Sequence, residues 1–277
     1  MPSNFQLPKT STSGITDSGT AWSRFGSGQS VVLLHGVGMN KNVWAPQVND
    51  LGEDFDVLIF DMWGHGESAL PNQKLELSDY TEQLTSLLDE LEIESAHIVG
   101  HSMGALIAID YALAQSCQSV SALNAVFMRT PEQSTAVRNR SAELSAGGVS
   151  VNLEETLQRW YGTPGEREHV DAANLARELL LAVNPQGYAA AYEVFASSDS
   201  VHANRLGELK VPSLFFTADG DPNSTPAMSQ TMADLAPNGA AKVLAGHRHM
   251  MTLTAPELVS ESLRTFFNSA PKFAAKP

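Results

Sequence analysis

Short apolar runs alternate with stretches of helical periodicity along most of this chain. The runs fall at residues 31–34 (VVLL), 57–60 (VLIF), 97–99 (HIV), 124–127 (NAVF), 213–217 (SLFFT) and 242–245 (KVLA). Their lack of polar alternation predicts strands buried on both faces, as in a mostly parallel sheet covered by helices. Between them Leu84, Leu87, Leu88 and Leu91 recur at helical spacing, as do the small and apolar residues of 105–112 and 256–267. Strand alternating with helix places the chain in the α/β class, as a doubly wound or similar sheet.

The strand signal disappears between residues 128 and 209. The sequence there is helical, with Trp160, Tyr161, Tyr188, Tyr192 and Phe195 scattered through it. This predicts a helical cap insertion over 128–209, dividing an α/β core made of residues 1–127 and 210–277. An insertion at the carboxyl ends of strands lies where such sheets bind ligands, although aromatics there serve packing more often than ligand contact. The closing segment 270–277, APKFAAKP, reads as a loose tail.

Composition narrows the partners. Hydrophobic residues make up 43% of the chain and charged residues 17%, as in a folded globular protein. Lys and Arg number 17 against 31 Asp and Glu, a net charge of −14, and a field of that sign repels nucleic-acid phosphates and anionic lipid surfaces. A small-molecule substrate is expected, and neither nucleic acid nor membrane. Cys117 is the single cysteine, so neither an intramolecular disulfide nor a cysteine-based metal cluster can form. The opening MPSNFQLPKTSTSG has no basic start or apolar core, and no later stretch could span a bilayer, so a cytoplasmic location is expected.

The most specific chemistry lies in Gly100-His101-Ser102-Met103-Gly104, with the strand 97–99 before it and the helix-forming Ala105-Leu106-Ile107-Ala108 after it. Strand, sharp turn and helix are the context a G-x-S-x-G nucleophile elbow requires. The serine occupies a strained turn, and side chains two positions either side would collide with the adjoining strand and helix. Ser102 then stands at a helix N-terminus, where the Met103 amide can donate to a developing oxyanion.

With this elbow the sequence resembles the α/β-hydrolase fold family, and the likeness extends further. Leu34-His35-Gly36-Val37-Gly38 resembles the family's oxyanion segment, which implies that the Val37 amide is the second oxyanion donor. Residues 61–68, Asp61-Met62-Trp63-Gly64-His65-Gly66-Glu67-Ser68, are similar to its D-x-x-G-x-G-x-S loop, whose usual role is structural. The resemblance implies the order serine, acid, histidine. Asp219 and Asp221 both follow a late strand; the family's habit of placing the acid immediately before proline favours Asp221, leaving Asp219 as a turn residue bonded to its own backbone. His247 and His249 both follow the last strand, and the spacing of His249 from Pro256-Glu257 resembles the family's base-bearing loop. His35 and His101 belong to their motifs, while His97, His169 and His202 have no evident partners in sequence.

The implied chemistry is hydrolysis of a small ester, lactone or related carbonyl substrate by a Ser102-His249-Asp221 triad and an acyl-enzyme. The general look of the chain is similar to small bacterial esterases, enol-lactonases and carbon–carbon bond hydrolases of aromatic breakdown. A cofactor-free haloperoxidase or a small-molecule receptor on the same fold remain alternatives. No cofactor is implied: Gly26-Ser27-Gly28 is an incomplete dinucleotide fingerprint that precedes a strand, and no metal-ligand spacing such as H-E-x-x-H appears. Arg129 follows the run 124–127 at the carboxyl edge of the sheet. There it is a candidate to hold a substrate carboxylate, against the commoner alternative of a salt bridge to an acidic residue of the cap.

Overall fold

Residues 5–9, 11–147, 153–162 and 169–270 are described in a computed structural model; the expected tail beyond residue 270 lies outside them. Eight strands form one sheet: β1 (Thr12–Ile15), β2 (Ala21–Gly26), β3 (Gln29–Leu34), β4 (Phe55–Phe60), β5 (His97–His101), β6 (Ser119–Leu123), β7 (Ser213–Ala218) and β8 (Gly239–Leu244), ordered β1-β2-β4-β3-β5-β6-β7-β8. β1 and β2 run antiparallel to their neighbours, and every pairing from β4 to β8 is parallel. In β4 and β7 every residue is buried, the pattern expected of strands covered on both faces.

One expected strand is displaced. The run 124–127 is not a strand; β6 lies immediately before it, at Ser119–Leu123, and Asn124 leaves the sheet with φ 50°. Ser119 and Ser121 hid β6 from a reading based on apolar runs, yet both are fully buried. Ser119 is tolerated there because its hydroxyl and His97 Nδ1 on β5 share a 2.7 Å hydrogen bond. β1 and β2 also escape such a reading, since Thr12, Ser13, Ser23 and Arg24 interrupt them.

Helices α1 (Ala45–Leu51), α2 (Leu77–Glu90), α3 (Met103–Ala114), α8 (Pro226–Leu235), α9 (Met251–Thr254) and α10 (Pro256–Ser269) pack against the sheet or one another. Leu33, Leu34, Leu58, Ile59, Phe60, Phe215 and Phe216 are among the largest fully buried side chains. α4 (Pro131–Gly147), α5 (Leu153–Tyr161), α6 (Val170–Ala182) and α7 (Pro185–Ser197) all lie between β6 and β7. α4 packs on α7 and α5 on α6. Among the described residues, no helix is long and apolar enough to cross a membrane.

Candidate active site

β5 delivers the chain to Ser102, which takes φ 56° and ψ −116° at the N-terminus of α3. For a residue with a Cβ that conformation is strained by on the order of 1–3 kcal/mol and persists only where its surroundings impose it. They do so here: Ser102 N donates to Leu123 O at 2.9 Å, tying the turn to the end of β6. A Cβ on Gly100 would strike the Gly104 carbonyl, and one on Gly104 would strike the Leu34 carbonyl. The two glycines thus let α3 begin directly against β3, with Ser102 at its positive end.

The segment after β3 crosses beside this turn. Met39 N donates to Gly36 O at 3.2 Å and Gly38 N to His65 Nε2 at 3.0 Å, while the Val37 amide between them has no protein acceptor among the described residues. The Met103 amide, in the first turn of α3, has no acceptor within its own helix. His65 comes from the loop read as structural, and that loop is locked from within. Asp61 accepts from Lys41 N at 2.7 Å, Lys41 Nζ at 2.8 Å and Glu67 N at 2.9 Å.

Asp221 and His249 meet across 28 residues of sequence, with Asp221 Oδ2 accepting from His249 Nδ1 at 2.8 Å. Asp221 also accepts from Asn124 Nδ2 and from Asn223 N, each at 2.8 Å. Burial works to raise the Asp221 carboxyl, but the His249 charge and these hydrogen bonds outweigh it and hold the group below the usual carboxylate range. The His249 carbonyl accepts from His101 Nε2 at 2.8 Å, and the Trp160 ring stacks on the imidazole at 5.8 Å between centroids. Asn124 was missed in sequence, where it read as the first residue of a strand; only the fold shows it leaving β6 at positive φ and holding Asp221.

The competing candidates do other work. Asp219 accepts from Gly246 N at 2.8 Å, joining the acid loop to the histidine loop instead of capping its own turn. His247 Nδ1 and Thr254 Oγ1 share a 3.0 Å hydrogen bond, and its ring lies 5.8 Å from that of His169. His97 and His202 have partners after all, Ser119 and Asp110 respectively.

Four buried imidazoles have a consequence for acid stability. Burial lowers His35 and His97 to about 4, and burial followed by a neighbouring histidine lowers His65 and His101 to about 3. Between those values and the ordinary 6.5 the unfolded chain binds protons that the native state does not. Their contribution is therefore complete above about pH 6.5 and is lost as pH falls towards 4, at roughly 1.4 kcal/mol per pH unit for each histidine. Urea unfolding followed from pH 7.5 to 4.5 should show a steeply falling midpoint. A flat profile would mean that these imidazoles titrate normally in the fold.

Ser102, His249 and Val37 open onto a cavity of about 180 Å³, walled on the other side by α4, α5 and α7. Arg129 lies in that wall, on the loop after β6. Its backbone N and Nη1 donate to Asp199 at 2.7 and 3.2 Å, and its guanidinium carbon sits 4.5 Å from the Phe195 ring centroid. The salt bridge weighed against its substrate role is thus present, while Nη2 is buried without a partner among the described residues. Arg140 and Arg159, which sequence reasoning passed over, share the wall. Among the described residues no group of three or more His, Cys, Asp or Glu could hold a metal ion.

Residues 29–256 match the family model of the alpha/beta hydrolase fold, spanning the elbow, the oxyanion segment and the loops of Asp221 and His249. The chain belongs to that family. It is a hydrolase, similar to an (E)-2-((N-methylformamido)methylene)succinate hydrolase of Acinetobacter baylyi at 34% identity, covering 89% of this chain and 93% of the relative. It is also similar to 3-oxoadipate enol-lactonase 1 of the same organism at 27% identity, covering 71% of this chain and 73% of the relative. Among solved structures a thermophilic esterase from Thermogutta terrifontis shares the fold, with TM-score 0.83, 22% identity and coverage of 94% and 98%.

Proposed function

We propose that this hydrolase cleaves a small carbonyl substrate through an acyl-enzyme formed on Ser102. His249 takes the Ser102 proton as the hydroxyl attacks, the Val37 and Met103 amides stabilise the oxyanion, and His249 then protonates the leaving group. The same imidazole next activates the water that releases the acyl group, and Asp221 holds it in the required tautomer. The observation that carries the reading is the 2.8 Å Asp221–His249 pair, whose imidazole opens with Ser102 onto one cavity. The two named relatives, a substituted methylenesuccinate hydrolase and an enol-lactonase, support a small acyl substrate in place of a long-chain one.

A fluorophosphonate probe tests the reading directly, because it is attacked only by an activated hydroxyl. Stoichiometric labelling mapped to Ser102 by peptide mass spectrometry is expected, and a folded protein that stays unlabelled would overturn it. A panel of short p-nitrophenyl esters, small lactones and a vinylogous diketone then sorts ester, lactone and carbon–carbon bond cleavage.

A further inference from the structure

We propose that the cavity is built for a substrate carrying two carboxylates besides its scissile carbonyl, and that Arg140 and Arg159 read them; the inference rests on Ser102 being the nucleophile of the same cavity. Its basis is charge and pairing. Three of the seventeen Lys and Arg residues of this acidic chain line one wall, and no Asp or Glu lines the cavity with them. Arg129 has Asp199 as its counterion. Arg140 donates instead to the neutral Tyr192 hydroxyl at 3.2 Å, and Arg159 to the neutral Thr156 hydroxyl at 2.9 Å. Neither makes an ion pair with a carboxylate among the described residues.

Two cationic groups are therefore held close together with no carboxylate in contact with either among the described residues. Burial, and then the charge of Arg140, lower the Arg159 guanidinium from its usual value. Arg159 Nε and Arg129 Nη2 are buried without hydrogen-bond partners among the described residues. Buried donors and charges are ordinarily paired, and a wall that keeps them unpaired is prepared for a ligand that will pair them. A dianion balances both guanidiniums, a monocarboxylate would leave one unmatched, and a neutral ester would leave two. Each planar fork accepts a carboxylate through two parallel hydrogen bonds.

The layout also directs the carbonyl. α4 and α5 supply the arginines from one side, and the sheet's loops supply Ser102 and His249 from the other. Carboxylates anchored on the helices would turn the remaining end of a short molecule towards Ser102, which is how binding energy remote from the reacting bond positions it. Size agrees: a cavity of about 150 Å³ accommodates a molecule such as benzene, and about 180 Å³ here suits a diacid of four to six carbons.

Calorimetric titration of the full-length Ser102→Ala protein with succinate, glutarate, butyrate and monomethyl succinate tests this, with fluorophosphonate labelling of the unaltered protein run in parallel. A diacid should bind at least roughly tenfold more tightly than butyrate or the half-ester, the loss expected for one charge-assisted contact. Added Arg140→Gln or Arg159→Gln should erase that preference, and the lysine replacements should restore part of it. Arg205→Gln, which alters pairs with Asp110 and Glu208 outside the cavity, should keep it. Equal binding of diacid and monoacid would overturn the proposal whether or not the glutamine variants fold, as would an intact preference in both. Labelled Ser102 would then leave the nucleophile reading standing. A preserved diacid preference without labelling would support the cationic wall and overturn the nucleophile reading instead.

Discussion

Ser102→Ala is expected to lower kcat by about a million-fold and to abolish fluorophosphonate labelling, while the protein keeps its fold. The magnitude follows from the way triads act as a unit: removing the nucleophile costs about as much as removing every member. The fold should survive because what holds the turn is backbone. The Ser102 amide bonds the Leu123 carbonyl, and the close approach of α3 to β3 depends on Gly100 and Gly104. Alanine inherits the same strained φ and ψ and loses only a hydroxyl. Single-turnover kinetics with thermal unfolding of both proteins decides the matter. Near-normal turnover with an unchanged melting temperature would exclude Ser102 as the nucleophile.

The second large effect concerns the pair proposed to serve Ser102. His249→Ala should lower kcat nearly as far as the serine change, and Asp221→Asn by about ten-thousand-fold, since the base moves the proton and the acid orients the base. Asparagine at 221 keeps one acceptor oxygen where the carboxylate has two, so its amide nitrogen would face, donor to donor, either the Asn223 amide or the Asn124 Nδ2 and His249 Nδ1 side. Because the Asp221 carboxyl is held below the ordinary carboxylate range, it is ionised at neutral pH. Asp221→Asn should therefore lower activity at every pH at which the carboxylate is ionised, because the imidazole loses the partner that orients it. His247→Ala and Asp219→Asn should be mild, because those side chains bond Thr254 and Gly246 and reach neither Ser102 nor its cavity. Steady-state kinetics over pH 5.5 to 9 on the four variants checks this, and a silent His247→Ala beside an active His249→Ala would transfer the base to His247.

The parts of this protein legible from sequence are those whose physics is local. The elbow needs its strand, two glycines, serine and helix within about fifteen consecutive residues, so Ser102 could be read directly. Strands β3, β4, β5 and β7 are buried on both faces, and their uninterrupted apolar runs declare it. β6 could not be read in this way. Its Ser119 is accommodated because a neighbouring strand places His97 against it, a partner assigned by strand pairing, while the Ser121 hydroxyl is buried without a partner among the described residues.

The proposed acid and base lay between. Composition and spacing left Asp219 against Asp221 and His247 against His249, and the family resemblance leaned to Asp221 and His249. The contact between them joins loops 28 residues apart, which only the folded sheet brings together. Asn124 grips Asp221 across 97 residues. The cationic wall was the least legible. Arg140 and Arg159 look in sequence like any polar residues on surface helices, and Arg129 stood out for its place after a presumed strand. Which face of α4 and α5 turns inward is set by how those helices pack over the sheet, so it was tertiary packing that paired Arg129 with Asp199 and left its two neighbours facing the cavity without a carboxylate.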